Sequence, residues 1–149
     1  MKKLILKNKS IFDLNTEALV NPVNCVGIMG AGLALQFKNR FPGVFAMYAE
    51  DCRNKIYYPG GVGTVKDKGK VIYNIATKDH WKDKSKLEWV ELGIKNLVDC
   101  LLKDGVKSIA IPAIGCGLGG LKANDVVPII EKEIQKLNNL DITVYIVLP

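Results

Sequence analysis

The chain has 149 residues, 48% of them hydrophobic and 24% charged, and carries a formal net charge of +6. This is the length and balance of one globular domain, residues 1–149, with a full core; no apolar run reaches the length of a membrane span, and the start at Met1 leads into an alternating strand rather than a signal segment. Cys25, Cys52, Cys100 and Cys116 lie far apart with only His80 to join them, which argues against a metal site and for reduced thiols in the cytoplasm, while the basic balance favours a polyanionic partner.

Strand signals fall first at Lys3–Lys7 and Ala18–Asn21, followed by helix patterns over Ala31–Arg40 and Val44–Arg53. Two further strands, Gly63–Lys66 and Val71–Ala76, flank Lys68 and Gly69, which with Lys66 and Lys70 read as a hairpin turn. The clearest helix runs over Lys86–Lys103: Leu87, Val90, Ile94, Leu97 and Leu101 form an apolar stripe, Ser85 and Glu88 read as a capping box, and Asp104 and Gly105 as the stop. Strand Ser108–Pro112 precedes a helix over Asp125–Leu137, with Asn124 as its N-cap and Pro128 in its first turn, and strand Ile142–Val147 ends the pattern. An α/β class follows, with a mixed, about six-stranded sheet between helices on both faces (three α/β/α layers) and ligands bound beyond the C-terminal strand ends.

Two glycine-rich turns stand directly behind strands on that edge. One runs from Asn21 through Gly27, Gly30 and Gly32 to Ala34; the other runs from Pro112 through Gly115, Gly117, Gly119 and Gly120 to Leu121. Turns without side chains expose backbone N–H groups, and a following helix adds the positive end of its dipole, so each is an anion cradle. Neither has the lysine of a P-loop or the spacing of a dinucleotide fingerprint. Two cradles in one small domain fit an extended phosphorylated ligand held from both sides. Cys25 and Cys116 fall within these turns and read as small residues rather than nucleophiles, since His80 is the single histidine available as a base.

The first turn, with Asn21-Pro22-Val23-Asn24-Cys25-Val26-Gly27 and then Met29-Gly30-Ala31-Gly32-Leu33-Ala34-Leu35-Gln36-Phe37-Lys38, resembles the first signature of the macrodomain family, the ADP-ribose-binding fold. The second, Ile111-Pro112-Ala113-Ile114-Gly115-Cys116-Gly117-Leu118-Gly119-Gly120-Leu121, is similar to that family's loop around the diphosphate and distal ribose. The resemblance covers the chain from Lys3 to Val147. Within the family it is nearest the DarG type, whose members remove ADP-ribose from DNA bases as antitoxins to a DNA-modifying ADP-ribosyltransferase. A related branch acts on protein glutamates and carries an aspartate where this chain has Gly119, so that departure ranks the DNA-directed type first.

The resemblance implies ligand contacts from Asn24, Met29, Gly30, Ala31, Gly32 and Leu33 in the first turn. In the second it implies contacts from Pro112, Gly115, Cys116, Gly117, Leu118, Gly119 and Gly120, with Thr77 between the two. Lys78, just past a strand end, matches the catalytic lysine of these branches. Its amine can attack an anomeric carbon or protonate a departing base, and either role needs a tuned pKa. Asn24 is the second catalytic candidate: its amide can orient the distal ribose, against the plainer reading of a residue stabilising its own turn. Ser10 takes the place of the family's adenine-binding aspartate, with Ile11 offering backbone contacts and Asp13 at the wrong spacing. His80, Trp81 and Lys82 put a stacking ring among cations, as a nucleic-acid contact needs, although Trp81 packing on the helix start is an equal reading.

The expected activity is a metal-independent ADP-ribosyl glycohydrolase acting on DNA, at a modified thymine, without cofactor. Its expected partners are ADP-ribose, ADP-ribosylated DNA and a cognate toxin, and the expected state is a monomer away from membranes. The alternatives are the same chemistry on protein-linked ADP-ribose, or a reader without catalysis.

Overall fold

The computed structural model describes all 149 residues. Its strands are β1 (Lys2–Lys7), β2 (Ala18–Val23), β3 (Val62–Asp67), β4 (Lys70–Ala76), β5 (Ser108–Pro112) and β6 (Thr143–Leu148), and its helices are α1 (Gly32–Arg40), α2 (Pro42–Arg53), α3 (Leu87–Asp104) and α4 (Ala123–Ile134). Every expected element is present, most with ends displaced by one or two residues; the last turn of the fourth helix, Gln135–Leu137, is 3-10 rather than α.

The six strands form one sheet in the order β1-β6-β5-β2-β4-β3, parallel throughout except for β3, which pairs antiparallel with β4. A two-residue turn at Lys68 and Gly69, both with positive φ (50° and 77°), closes that hairpin as expected. Alternation along the strands builds two cores. Ala18, Val20, Tyr73, Ile75, Ile109, Ile111, Val144 and Ile146 share one face with the apolar stripes of α3 and α4. Leu19, Val23, Ile72, Ala76 and Ala110 share the other face with Phe37 of α1 and Val44 and Tyr48 of α2. Such two-sided burial is the pattern of a parallel sheet.

The feature that makes a site is a split in the sheet. β2 pairs with β4 along its whole length, from Ala18↔Val71 to Val23↔Ala76, but with β5 only at Ala18↔Ile109 and Leu19↔Ala110. Pro22 and Pro112, having no N–H, can donate no rung across the gap. The chain leaves β2 toward α1 and β3 on one side, and leaves β5 toward α4 and β6 on the other. The crevice between them is thus the topological switch point, where open α/β sheets take ligands.

Three local expectations are corrected. Ser85 does not cap α3: the N-cap is Lys86 with no side-chain bond, because the Ser85 N–H is drawn to the Gly119 carbonyl at 3.0 Å and its side chain is buried ahead of the helix. Asn124 does not cap α4, which begins two residues earlier than expected, at Ala123 with Lys122 as N-cap, so Pro128 falls in the second turn and removes the bond to the Asn124 carbonyl. Beside them Asn21 ties strand to strand: its amide donates to Asn74 Oδ1 at 3.0 Å, and Asn74 donates to the Tyr57 hydroxyl at 3.2 Å, all in the interior. Leu87, expected in the α3 stripe, is exposed, whereas Val90, Ile94, Leu97 and Leu101 are buried; Gly105, with φ 67°, ends the helix as expected.

Candidate functional site

Both glycine turns line a single cavity of about 1010 Å³ beyond the split between β2 and β5. In the first turn the N–H groups of Gly30, Ala31, Gly32, Leu33 and Ala34 have no acceptor within the protein, and α1 begins there with no side-chain cap at Ala31. Five unpaired donors on the positive end of a helix are a site for an anion.

The turn is held by Asn24, which is 7% exposed. Its Oδ1 accepts from the Val26 N–H at 3.0 Å and from the Tyr48 hydroxyl at 2.6 Å, and its Nδ2 donates to the Ile28 carbonyl at 2.8 Å. Asn24 lines the cavity, yet most of its bonding capacity is committed to the turn, leaving one amide hydrogen for a ligand. The turn-stabilising reading therefore describes most of what its amide does. Burial pushes the Tyr48 phenol far up from its ordinary pKa, so it remains a donor at every working pH.

In the second turn, bonds from Leu121 N–H to the Gly115 carbonyl (3.0 Å) and from Gly120 N–H to the Gly117 carbonyl (3.2 Å) fix the curve, while the N–H groups of Gly117, Leu118 and Gly119 have no acceptor within the protein. The two inner glycines serve different ends. A Cβ on Gly117 would meet nothing within 4 Å, whereas one on Gly119 would run into the Gly115 carbonyl and the Ser85 hydroxyl. Gly119 is glycine because the loop carrying Lys78 packs on its Cα.

That loop leaves β4 under two straps. Thr77 N–H donates to the Val23 carbonyl and Cys25 N–H to the Asp79 carbonyl, each at 2.9 Å, which fixes the start of the loop to the first turn. Lys78 is partly buried and lines the cavity, its amine 3.5 Å from the Trp81 carbonyl. Burial lowers its pKa below the ordinary 10.5 and the nearby Lys84 cation lowers it further, with Asp83 opposing. The Cys25 thiol is pushed up to about 12 by burial, with Asp79 and Cys52 adding to it, and burial also raises Cys116. Both are thiols rather than thiolates at neutral pH, in line with the reading of small turn residues.

Ser10, Ile11, Thr77, Trp81, Pro112 and Cys116 also line the cavity, with the first-turn residues Gly30–Leu33 and the second-turn residues Gly115–Gly119. Ser10 Oγ accepts from the Phe12 N–H at 3.2 Å, leaving its hydrogen and one lone pair for a ligand; Asp13 is exposed and away from the cavity. Two expected ligand contacts, Met29 and Gly120, lie elsewhere, and two of the expected nucleic-acid contacts, His80 and Lys82, stand outside the cavity. Met29 is 1% exposed, its apolar side chain drawn into the core beneath the turn. Gly120 faces outward under the Lys84 side chain, whose Cδ lies 3.3 Å from where a Cβ would stand. His80 and Lys82 do not line the cavity: the His80 N–H is bound by Asp83 at 3.0 Å and its Nδ1 accepts from the Lys82 N–H at 3.1 Å, so the imidazole organises the loop. Trp81 is 49% exposed at the rim rather than packed away, with the Lys82 amine 5.1 Å from its ring centre. Ser85, Ile28 and Tyr48 were not legible as site residues, because their positions depend on contacts between distant segments.

Comparison with known proteins agrees with this fold. The Macro domain family model matches residues 20–130. A DNA ADP-ribosyl glycohydrolase of Mycobacterium tuberculosis is 39% identical over 135 residues, covering 88% of this chain and 38% of that protein. This chain thus spans about two fifths of the length of that relative. Among solved structures, the macrodomain of Thermus aquaticus DarG superposes with a TM-score of 0.90 at 34% identity, covering 99% of each chain. Thermosipho africanus DarTG, in complex with ADP-ribose, superposes with a TM-score of 0.86 at 32% identity, covering 98% of this chain and 42% of that one. The chain belongs to the macrodomain family.

Proposed function

We propose that this macrodomain is an ADP-ribosyl glycohydrolase that removes ADP-ribose from a modified thymine in DNA, reversing the work of a DNA ADP-ribosyltransferase as an antitoxin does. The observation that carries the reading is the partly buried Lys78 amine, of lowered pKa, in a cavity walled by two turns of unpaired N–H groups. Those donors suit the diphosphate of ADP-ribose, and the partly buried Lys78 amine then stands at the sugar end. Hydrolysis breaks the bond from the anomeric carbon to the base nitrogen; water supplies a hydroxyl to the carbon and a proton to the base. A lowered pKa enlarges the fraction of neutral amine, the form a nucleophile needs. The preorganised donors cost no reorganisation as the reaction proceeds.

Two features favour DNA over protein as the carrier. Gly119 has no room for the carboxylate of the protein-directed branch. Trp81, exposed at the rim and beside Lys82, is suited to stack on a base next to the modified one. The monomeric state, the cytoplasmic setting and a toxin partner belong to the same proposal.

The test incubates the protein with an ADP-ribosylated thymidine oligonucleotide and, in parallel, with an automodified protein, following released ADP-ribose. Release from the oligonucleotide is expected. Lys78→Ala should bind free ADP-ribose within a few-fold of wild type and lose about 100-fold or more in turnover. Lys78→Arg should fail too, because a guanidinium neither attacks nor surrenders its proton. Wild-type turnover in Lys78→Ala, or release from protein alone, overturns the proposal; binding without release would make the chain a reader.

A further inference from the structure

Ser85 is 6% exposed, lines the cavity, and its hydroxyl has no hydrogen-bond partner within the protein. Leaving a buried hydroxyl unpaired is unfavourable, because its lost hydration is not replaced. The fold itself has no use for it. The contact that Ser85 makes between the Lys78 loop and the second turn is a backbone one, its N–H to the Gly119 carbonyl at 3.0 Å, which alanine would make equally well. Its oxygen, moreover, is wedged against the Cα of Gly119, in the stretch where Gly117, Leu118 and Gly119 have unpaired N–H groups. An unpaired hydroxyl and a run of unpaired amides on one cavity wall call for the same occupant.

We propose that Ser85 is a ligand-contacting residue whose hydroxyl completes its hydrogen bonding on an oxygen of the bound molecule, either a hydroxyl of the distal ribose or a phosphoryl oxygen of the diphosphate. The inference rests on the reading of the cavity as an ADP-ribose site. Because Ser85 closes the loop that begins at Lys78 and is bonded to the second turn, this contact also sets the reacting sugar against the amine. It is a positioning role, distinct from the chemistry of Lys78.

The experiment compares wild type with Ser85→Ala by calorimetric titration of ADP-ribose and of ADP, and by thermal unfolding of the free proteins. Affinity for ADP-ribose should fall about 3- to 15-fold, the worth of one hydrogen bond. The free variant should unfold at the same temperature or higher, since an unpaired buried hydroxyl has been removed. Loss for ADP-ribose with ADP unchanged assigns the contact to the distal ribose; loss for both assigns it to the diphosphate. Unchanged affinity for both, or a lowered unfolding temperature with unchanged affinity, overturns the proposal by making Ser85 structural. Failure of the wild type to bind ADP-ribose removes the underlying reading and this inference with it, an outcome distinct from loss in the variant alone.

Discussion

A methyl group added at Gly119 tests the packing of the two loops directly. Its carbon would stand 2.9 Å from the Gly115 carbonyl carbon, and closer still to the Gly115 oxygen and the Ser85 hydroxyl. Two of these three atoms belong to backbone, so the turn itself must move. Overpacking of this kind costs about 1–3 kcal/mol, and at about 2–4 °C per kcal/mol for a domain of this size Gly119→Ala should lower Tm by about 2–12 °C. Gly117→Ala is the matched control. Neither glycine has a positive φ, so alanine is free of backbone strain at both, and at Gly117 the methyl meets nothing within 4 Å. Its stability should stay within about 0.5 kcal/mol of wild type. Differential scanning calorimetry on both variants gives the comparison, and titration with ADP-ribose shows whether displacing the turn also weakens binding, by about tenfold where 1.4 kcal/mol of donor geometry is lost. Adding Ser85→Gly to Gly119→Ala removes one obstacle and should recover part of the Tm. Equal Tm values for the two alanine variants would refute the packing argument.

Lys84→Gln removes a cation that lowers the pKa of Lys78, so that pKa should rise toward 10.5 and less neutral amine should be present at a given pH. The rising limb of the kcat/KM profile should move to higher pH, and a limb that stays or moves lower counts against nucleophilic attack. Pro128→Ala restores an N–H to the second turn of α4 and should stabilise the fold by about 1–3 kcal/mol, read as a higher Tm; a fall would mean that the ring packs usefully where it stands. Turnover should survive excess EDTA, since no cluster of three metal-ligating side chains exists in the chain, and loss reversed by magnesium would point to different chemistry.

What was legible in the sequence was whatever depends on neighbours along the chain. The stripe of Val90, Ile94, Leu97 and Leu101, the stop at Gly105 and the hairpin at Gly69 follow from spacing and backbone freedom, and each is where the pattern put it. The two turns and the edge they share were legible for the same reason, being strand ends with glycines behind them. What failed was decided across the fold. Ser85 has the composition of a cap, but Gly119, far along the chain, holds its N–H and leaves the hydroxyl buried and unpaired at the cavity wall rather than on a helix end. Met29 sits inside a signature full of cavity residues, yet its side chain is large and apolar with a core beneath it. Asn24 was legible as a site residue but not as the partner of Tyr48, a contact between a turn and the helix packed behind it.

The charge of the chain and the charge of the cavity answer different questions. Although 21 residues are basic, the only cations on the cavity wall are Lys9 and Lys78. A diphosphate held there is met mainly by neutral backbone dipoles, whose hold depends on geometry and releases few counterions. Lys82, Lys84 and Lys86 are exposed and do not line the cavity, Lys82 lying over the Trp81 ring, Lys84 along Gly120 and Lys86 over Trp89, and the proposed DNA backbone would pass along them. Salt should therefore separate the two contributions. Raising it from 50 to 200 mM should change the Kd of free ADP-ribose little, while three phosphate contacts at a slope of about 0.7 each would weaken the KM of a modified single strand about twentyfold. Equal slopes would mean that the lysines grip the ADP-ribose itself. In that case the unpaired amides of the two turns would not be the main anion site, and the division between a neutral cradle and a charged rim would be wrong.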